Sequence, residues 1–202
     1  MRACMGHRWH SLQVVRLLVI VMVAAWLASF GSTSPSAQTT AFDLAGNPVD
    51  PLKSAGGKVV VLVFVRTDCP VSNRYAPTIE KLSEEHGAKV AFWLVYPSKS
   101  ESAEAIRKHE REYGYKIPAL RDPQHVLVKE SRVQITPEVA VFDAGRKLVY
   151  HGRIDNLYED VGRARSSATT HELEGAISAA LSGKSLAADA THGVGCYISD
   201  LE

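Results

Sequence analysis

Short apolar runs alternate with charged, amphipathic segments over most of this chain. The runs from Val59 to Val65 and from Lys89 to Tyr96 predict two buried strands, since strands covered on both faces are apolar throughout. Residues 72–86 and 100–113 have the composition of helices, and each segment is followed by a glycine of the kind that ends helices. The first half of the chain therefore alternates strand and helix.

The second half adds a hairpin and a final helix. Val139–Asp143 and residues 147–152 predict two strands paired around a tight turn. Thr169 and Glu172 have the spacing of a capping box before an apolar helical pattern that ends at Gly183. Shorter elements are expected at residues 42–49, 118–120 and 124–131. Together these elements predict an α/β fold, with a central mixed β-sheet flanked by helices.

The first 37 residues have the order of a secretory leader. They carry three arginines and no acidic residue, then an apolar stretch at 17–27 and a small, polar stretch at 29–37. This order predicts a signal peptide with cleavage near Ala37, and hence an exported protein, periplasmic or extracellular. The apolar stretch is short for a spanning helix, so an uncleaved membrane anchor is the second interpretation.

Without the leader the chain is nearly neutral. The leader holds three of the 23 basic residues and none of the 22 acidic ones, which leaves a net charge of −2. No long basic block is present, so we expect no nucleic-acid partner. The remaining cysteines, Cys69 and Cys196, lie in an oxidising setting where a disulfide can persist. The length suits one domain, residues 38–185, followed by a tail, residues 186–202, that carries Cys196.

Cys69 stands directly after the first apolar strand and before helix-forming sequence. Backbone N–H groups converge at the start of a helix, and the helix dipole there favours a thiolate over a thiol. The thiolate is the reactive form of cysteine, so this position predicts a nucleophile. A small, inert, buried cysteine at a strand end is the alternative from position alone.

Three features resemble the thioredoxin-fold proteins of the redoxin group, which includes the AhpC/TSA and TlpA-like proteins. The segment Cys69–Ser72 (CPVS) stands where these proteins place a C-x-x-C motif after a core strand. Pro77 stands where the family has the proline that kinks the active-site helix. Thr136 and Pro137, just before the strand at 139–143, match the cis-proline loop that faces the active cysteine.

The resemblance covers residues 41–181 and implies a thioredoxin-like three-layer sandwich. The extra strand and helix within Val90–Ser131 match the insertion of secreted redoxins. The family also implies that Cys69 is the nucleophile of a thiol–disulfide oxidoreductase, and that the loop of Thr136 and Pro137 positions a partner's backbone. The fold alone does not settle the activity, because function is decided by the site.

Ser72 replaces the second cysteine of the family motif, so this position cannot resolve a mixed disulfide. Its hydroxyl can still donate a hydrogen bond to the Cys69 thiolate and lower the pKa of that thiol. Arg66 is a further candidate for stabilising the thiolate. Cys196 is the one other cysteine after the leader, and nearby glycines would let the tail fold back. We therefore expect a Cys69–Cys196 disulfide, with a free or intermolecularly paired tail thiol as the alternative.

A peroxiredoxin-like thiol peroxidase with an antioxidant role is the second enzymatic interpretation. Peroxiredoxins place a threonine or serine three residues before the peroxidatic cysteine. Here that position is Arg66, and the nearest threonine is Thr67, so the peroxidase signature is incomplete.

A non-enzymatic copper-binding or assembly module of thioredoxin fold is the third interpretation. Thiolates and imidazoles suit Cu(I), and Cys69, Cys196, His151 and His192 could supply them. The copper chaperones of this fold resemble a C-x-x-x-C loop, which the sequence lacks. Otherwise we expect no cofactor, and protein thiols and disulfides or peroxide as substrates, with a redox partner that the sequence does not identify. Membrane contact is expected only if the leader is retained.

Overall fold

A mixed sheet of seven strands forms the centre of the structure, a computed structural model that describes residues 41–184 and 191–199. The strands are β1 (Ala41–Asp43), β2 (Pro48–Val49), β3 (Val59–Phe64), β4 (Val90–Tyr96), β5 (Ala119–Arg121), β7 (Glu138–Phe142) and β8 (Leu148–Gly152). They lie in the order β2-β1-β5-β4-β3-β7-β8. Strands β3, β4 and β5 run parallel, and the remaining neighbours are antiparallel. The predicted leader, residues 1–37, lies outside the described residues.

Helices cover both faces of this sheet. They are α1 (Pro51–Ser54), α2 (Pro70–His86), α3 (Ala103–Tyr113), α4 (Val126–Ser131) and α5 (Glu172–Leu181). Two small antiparallel pairs complete the fold, β6 (Ile135–Thr136) with β11 (Cys196–Tyr197), and β9 (Tyr158–Asp160) with β10 (Arg163–Ala164). The predicted α/β sandwich and its strand–helix insertion are therefore confirmed. Within the described ranges, no helix is both long and apolar enough to cross a membrane.

Strand β3 is buried on both faces because every one of its side chains is apolar. Val59, Val61 and Val63 join the core beneath α2, α3 and α5. The alternate residues, Leu62 and Phe64 among them, join a second core with α1 and α4. Full burial of one such side chain contributes about 1.5–3 kcal/mol. This doubly buried strand fixes the point from which the chain enters the Cys69 loop.

The last helix begins differently from the prediction. The capping box at Thr169 is wrong, because His171 is the residue before the first turn and its side chain makes no capping hydrogen bond. Thr169 instead donates its N–H to Asn156 Oδ1 at 2.7 Å, and Glu172 pairs with Arg153. Contacts with the preceding loop have replaced the local cap.

Helix α5 offers a matched test of the packing. Ile177 is fully buried against the sheet, whereas Leu181 on the same helix is 40% exposed. We expect Ile177→Ala to lower the free energy of unfolding by about 2–5 kcal/mol, since it leaves a cavity in the core. Leu181→Ala is expected to cost much less. Urea unfolding measures both, and equal losses would contradict the described packing of α5.

Candidate active site

Cys69 lies at the junction between β3 and α2. It occupies the N-cap position of α2 in an extended conformation, and Pro70 follows in the first turn of the 17-residue helix. The side chain is fully buried. Its thiol donates a hydrogen bond to the Thr136 carbonyl oxygen, with a sulfur–oxygen distance of 3.2 Å. The predicted nucleophile therefore faces both the start of a helix and the loop before β7.

That loop carries the proline expected from the family resemblance. The Thr136–Pro137 peptide bond is cis, and Thr136 is fully buried. Pro77 lies inside α2, as the resemblance implies. Cys69, Thr136 and Pro137 are thus brought together from two separate parts of the chain.

The tail brings Cys196 to the same place. Strand β11 pairs antiparallel with β6, and this register sets Cys196 opposite Thr136. Since the Thr136 carbonyl also accepts from the Cys69 thiol, the two cysteines lie close together, and Cys196 packs against the buried cluster that contains Cys69. Both cysteines are free thiols, Cys69 buried and Cys196 half-buried. The second cysteine near Cys69 therefore comes from strand β11, which pairs with β6, and not from helix α2.

The site favours a thiolate on Cys69 and a thiol on Cys196. Burial raises the pKa of Cys69, but the hydrogen bonds that its thiolate would accept from the Cys196 thiol, the Ser72 hydroxyl and backbone N–H groups outweigh it. The net effect lowers the pKa of Cys69 below its usual value. Burial, together with the hydrogen bond to Cys69 and the charge on it, raises the pKa of Cys196. One negative charge is thus shared unequally, with Cys69 ionising first.

Ser72 stands one turn into α2, fully buried beside Cys69. Within the described part of the chain, its hydroxyl oxygen has no hydrogen-bond partner. A buried hydroxyl without a partner is costly, and ionisation of Cys69 supplies a strong acceptor for it. The serine therefore favours the charged form of the cysteine, although it cannot resolve a disulfide.

Arg66 contacts the tail at the residue after Cys196. Its guanidinium pairs with Asp68 at 2.8 Å and approaches the Tyr197 carbonyl oxygen at 3.5 Å. Its positive charge acts to lower the pKa of Cys196, whereas burial and the negative charge of Asp68 act to raise it. The geometry thus places Arg66 beside the second cysteine.

Three side chains behind the Cys69 loop were not singled out from the sequence. The Thr67 N–H donates to Glu101 Oε1 at 2.6 Å, and Asn73 Nδ2 donates to the Thr67 carbonyl at 3.2 Å. His109 contacts Asn73 Oδ1 through Nε2 at 2.8 Å. Since that amide oxygen only accepts, His109 Nε2 carries the proton. The sequence held one indication that His109 is buried, because it follows the apolar Ile106 by three residues and so lies on the same face of α3.

Glu138 is a further residue that the sequence did not reveal. It is buried at the start of β7, and its Oε2 accepts from the N–H groups of Gln134 at 2.9 Å and Ile135 at 3.3 Å. Its Oε1 accepts from the Gly193 N–H in the tail at 3.1 Å. The sequence indicated this residue only by placing an acidic side chain directly before an apolar strand. This carboxylate links β6, β7 and the tail.

The four candidate copper ligands do not converge in the described part of the structure. Across residues 41–184 and 191–199, no three His, Cys, Asp or Glu side chains converge as they would around a metal ion. His151 on β8 pairs with Ala140, four residues beyond Thr136, or about 13 Å along an extended chain. His192 is exposed. The two cysteines therefore meet without either histidine.

Ser72 can be tested through the ionisation of Cys69. Ser72→Ala removes a hydrogen-bond donor to the thiolate, so we expect the pKa of Cys69 to rise and its alkylation at neutral pH to slow. The measurement is the rate of iodoacetamide labelling at Cys69 against pH, followed by mass spectrometry of the labelled peptide. Ser83→Ala, farther along α2, is the matched control and should leave the profile unchanged. An unaltered profile in Ser72→Ala would rule out this role.

His109 predicts a pH dependence of stability. Its Nδ1 lies 2.8 Å from the Tyr96 hydroxyl, and burial lowers its pKa. The unfolded chain therefore binds a proton below about pH 6.5 that the folded chain excludes, so the free energy of unfolding falls as pH drops through that value. Urea unfolding from about pH 8 to about pH 5.5 should show this decline. His109→Gln should flatten it in part, because burial lowers the pKa of His151 as well. An identical slope in the variant would contradict the prediction.

Solved structures of low sequence identity share this fold. A hypothetical protein from Sinorhizobium meliloti 1021 is 23% identical, with a TM-score of 0.66 over 79% of this chain and 88% of that one. An uncharacterized conserved protein from Geobacillus kaustophilus is 22% identical, with a TM-score of 0.65 over 83% and 93%. A secreted disulfide oxidoreductase from Mycobacterium tuberculosis is 23% identical, with a TM-score of 0.51 over 70% and 96%.

The family assignment comes from the sequence itself. No curated protein matches the chain. The Redoxin family model matches residues 30–167, more than half of the 202-residue chain, and this range contains Cys69, the cis-proline loop and β7. Together with the thioredoxin-like sheet, this match shows that the chain belongs to the Redoxin family.

Proposed function

We propose that this protein is an exported thiol–disulfide oxidoreductase in which Cys69 is the nucleophile and Cys196 the resolving cysteine. The observation that carries the proposal is the β6–β11 register, which sets Cys196 opposite Thr136, the residue whose carbonyl accepts from the Cys69 thiol. Its support from known structures is a likeness of fold to a secreted disulfide oxidoreductase. Membership of the Redoxin family is consistent with thiol redox chemistry.

The first step is attack of the Cys69 thiolate on one sulfur of a partner disulfide. A bond forms between Cys69 and that sulfur, the partner's disulfide breaks, and its second sulfur leaves as a thiolate that takes up a proton. The lowered pKa of Cys69 favours this step near neutral pH. The product is a mixed disulfide between the protein and its partner.

The second step resolves the mixed disulfide. Cys196 loses its proton and attacks the Cys69 sulfur, which releases the partner's remaining sulfur as a thiol. The partner has then been reduced to a dithiol, and the protein holds a Cys69–Cys196 disulfide. Arg66 supports this step, because its positive charge favours the Cys196 thiolate. The opposite direction, with an oxidised protein and a reduced partner, uses the same bonds in reverse.

Export is part of the proposal and rests on the leader sequence. A basic, then apolar, then small-residue order in residues 1–37 is typical of secreted proteins. A disulfide between Cys69 and Cys196 would persist in the oxidising compartment outside the cytoplasm. The alternative of a retained anchor leaves the domain in that same compartment.

Two cysteine variants separate the roles. With oxidised glutathione as the model disulfide, Cys69→Ser should reduce exchange to the rate of the uncatalysed reaction. Cys196→Ser should still form one adduct at Cys69 but stop there, so mass spectrometry would find a glutathione mixed disulfide. The unaltered protein should instead accumulate a Cys69–Cys196 crosslinked peptide under non-reducing conditions. Tyr197→Ser, at the exposed neighbour of Cys196, is the matched control and should behave like the unaltered protein.

Three other outcomes would contradict the proposed roles of Cys69 and Cys196. Exchange that survives in Cys69→Ser would place the nucleophile elsewhere. Two free thiols after mild oxidation would remove the resolving role from Cys196. Hydrogen peroxide consumption that depends on Cys69 and outpaces disulfide exchange would favour the thiol peroxidase instead.

A further inference from the structure

The tail strand β11 covers the edge of β6 beside Cys69. Cys196 pairs with Thr136, the Ile198 N–H donates to the Gln134 carbonyl at 2.9 Å, and Thr136 Oγ1 donates to the Cys196 carbonyl at 3.3 Å. Ile198 is buried in the core beneath the second face of the sheet. Main-chain groups at a strand edge bind any extended chain that offers the same pattern, so the tail uses a general strand-binding surface.

A partner polypeptide and the tail cannot occupy this surface together. Cys69 is fully buried, its thiol donates to the Thr136 carbonyl, and Cys196 packs against the cluster that contains it. A partner's sulfur must reach the place that the Cys196 sulfur holds. The first step of the proposed reaction therefore requires the tail to leave β6, and the second requires it to return.

The docked tail also shows which chains fit. A Cβ atom at Gly195 would lie 2.0 Å from the Thr136 carbonyl oxygen and 2.8 Å from its carbon, both backbone atoms beside the reactive sulfur. The restriction is steric, since Gly195 does not adopt a positive φ. An extended chain in this register must therefore carry glycine immediately before its cysteine.

Glu138 restricts a second position of the bound chain, the one that Gly193 occupies in the tail. Its carboxylate accepts the N–H of Gly193, three residues before the tail cysteine, while two amides of the segment before the cis-proline hold its other oxygen. A Cβ at Gly193 would lie 2.8 Å from Glu138 Cγ, so a small residue fits best there. The carboxylate is 6% exposed, and a buried charged acceptor makes a strong hydrogen bond.

We propose that β6 and Glu138 form a binding site for an extended polypeptide with a Gly-Cys sequence, and that this chain's own tail fills the site between turnovers. This rests on the proposed thiol–disulfide exchange, for which it names the substrate class. Partner and tail compete for the same hydrogen bonds. Return of the tail brings Cys196 to the Cys69 sulfur and displaces the partner from the edge. Glu138 is a positioning residue, which orients the bound chain without touching the reacting atoms.

Binding of a peptide that cannot react tests the site without any redox chemistry. The probe is a labelled nonapeptide that copies residues 191–199 with serine in place of the cysteine, Thr-His-Gly-Val-Gly-Ser-Tyr-Ile-Ser. Fluorescence anisotropy measures its affinity for the full chain. Gly195→Val should expel the tail and increase the affinity at least about tenfold, because the internal competitor is lost. His192→Val puts the same residue at an exposed position of the tail and should leave the affinity unchanged.

Further variants and a second peptide test whether tail release, the glycine and Glu138 each act as proposed. Ile198→Asp should release the tail from its buried end and increase the affinity in the same way. A second peptide with valine in place of the glycine before serine should bind the tail-released variants at least about tenfold more weakly than the first peptide. Glu138→Gln, added to Gly195→Val, should weaken binding of the first peptide by replacing a charged acceptor with a neutral one. Urea unfolding of each variant shows whether the domain remains folded.

The proposal is overturned if neither tail variant binds the peptide more tightly, or if the glycine and valine peptides bind equally. These outcomes leave the exchange chemistry untouched, since the serine probe forms no disulfide. Failure of the proposed function shows itself separately, as glutathione exchange that persists in Cys69→Ser.

Discussion

The pairing of two short strands, Cys196–Tyr197 with Ile135–Thr136, is the contact on which the candidate site depends. It sets Cys196 opposite Thr136, and the carbonyl of Thr136 is also the acceptor for the Cys69 thiol. The helix that starts at Cys69 carries serine where the family motif has its second cysteine, and the tail places the Cys196 sulfur at this site. A cysteine supplied across a sheet edge can leave that edge, which a cysteine within the helix cannot do. This difference separates the chemistry of the site from that of a fixed dithiol.

The electrostatics follow from that arrangement. A buried thiol and a half-buried thiol that lie close together hold one negative charge more easily than two, and the helix start and Ser72 favour its location on Cys69. Arg66 acts on Cys196, where the proposed second step needs a thiolate. Each charged form thus has its own stabilising group, and the division of the charge matches the order in which the two sulfurs would react.

The tail is held firmly at a few points rather than along its length. The buried Ile198, the Glu138 carboxylate and the β6 edge retain it in place. The sheet beneath it rests on β3, whose side chains are buried on both faces. Elements with few buried contacts open at a lower free energy than a core strand, so the tail can detach while the sheet stays intact. A site that must admit a partner and then expel it needs such a difference in stability.

Much of the fold follows from the local sequence. The apolar runs locate β3 and β4, and Gly114 ends α3 with a left-handed residue, because these features depend on neighbours a few positions away. The Cys69 position at a strand-to-helix junction and the cis-proline loop were predicted in the same way, helped by the family resemblance. The start of α5 was predicted wrongly, because Thr169 and Glu172 bond to Asn156 and Arg153 instead of capping the helix.

What only the tertiary structure decided is which side chains meet. The sequence by itself determined a cysteine directly after a core strand, a proline loop to face it, and a serine in place of the usual second thiol. The proximity of Cys69 to Cys196, the place of Arg66 beside the tail, and the burial of His109 and Glu138 all join residues that are far apart along the chain. Local patterns cannot fix such contacts, because they depend on the register of β11 against β6 and on how the helices pack against the sheet.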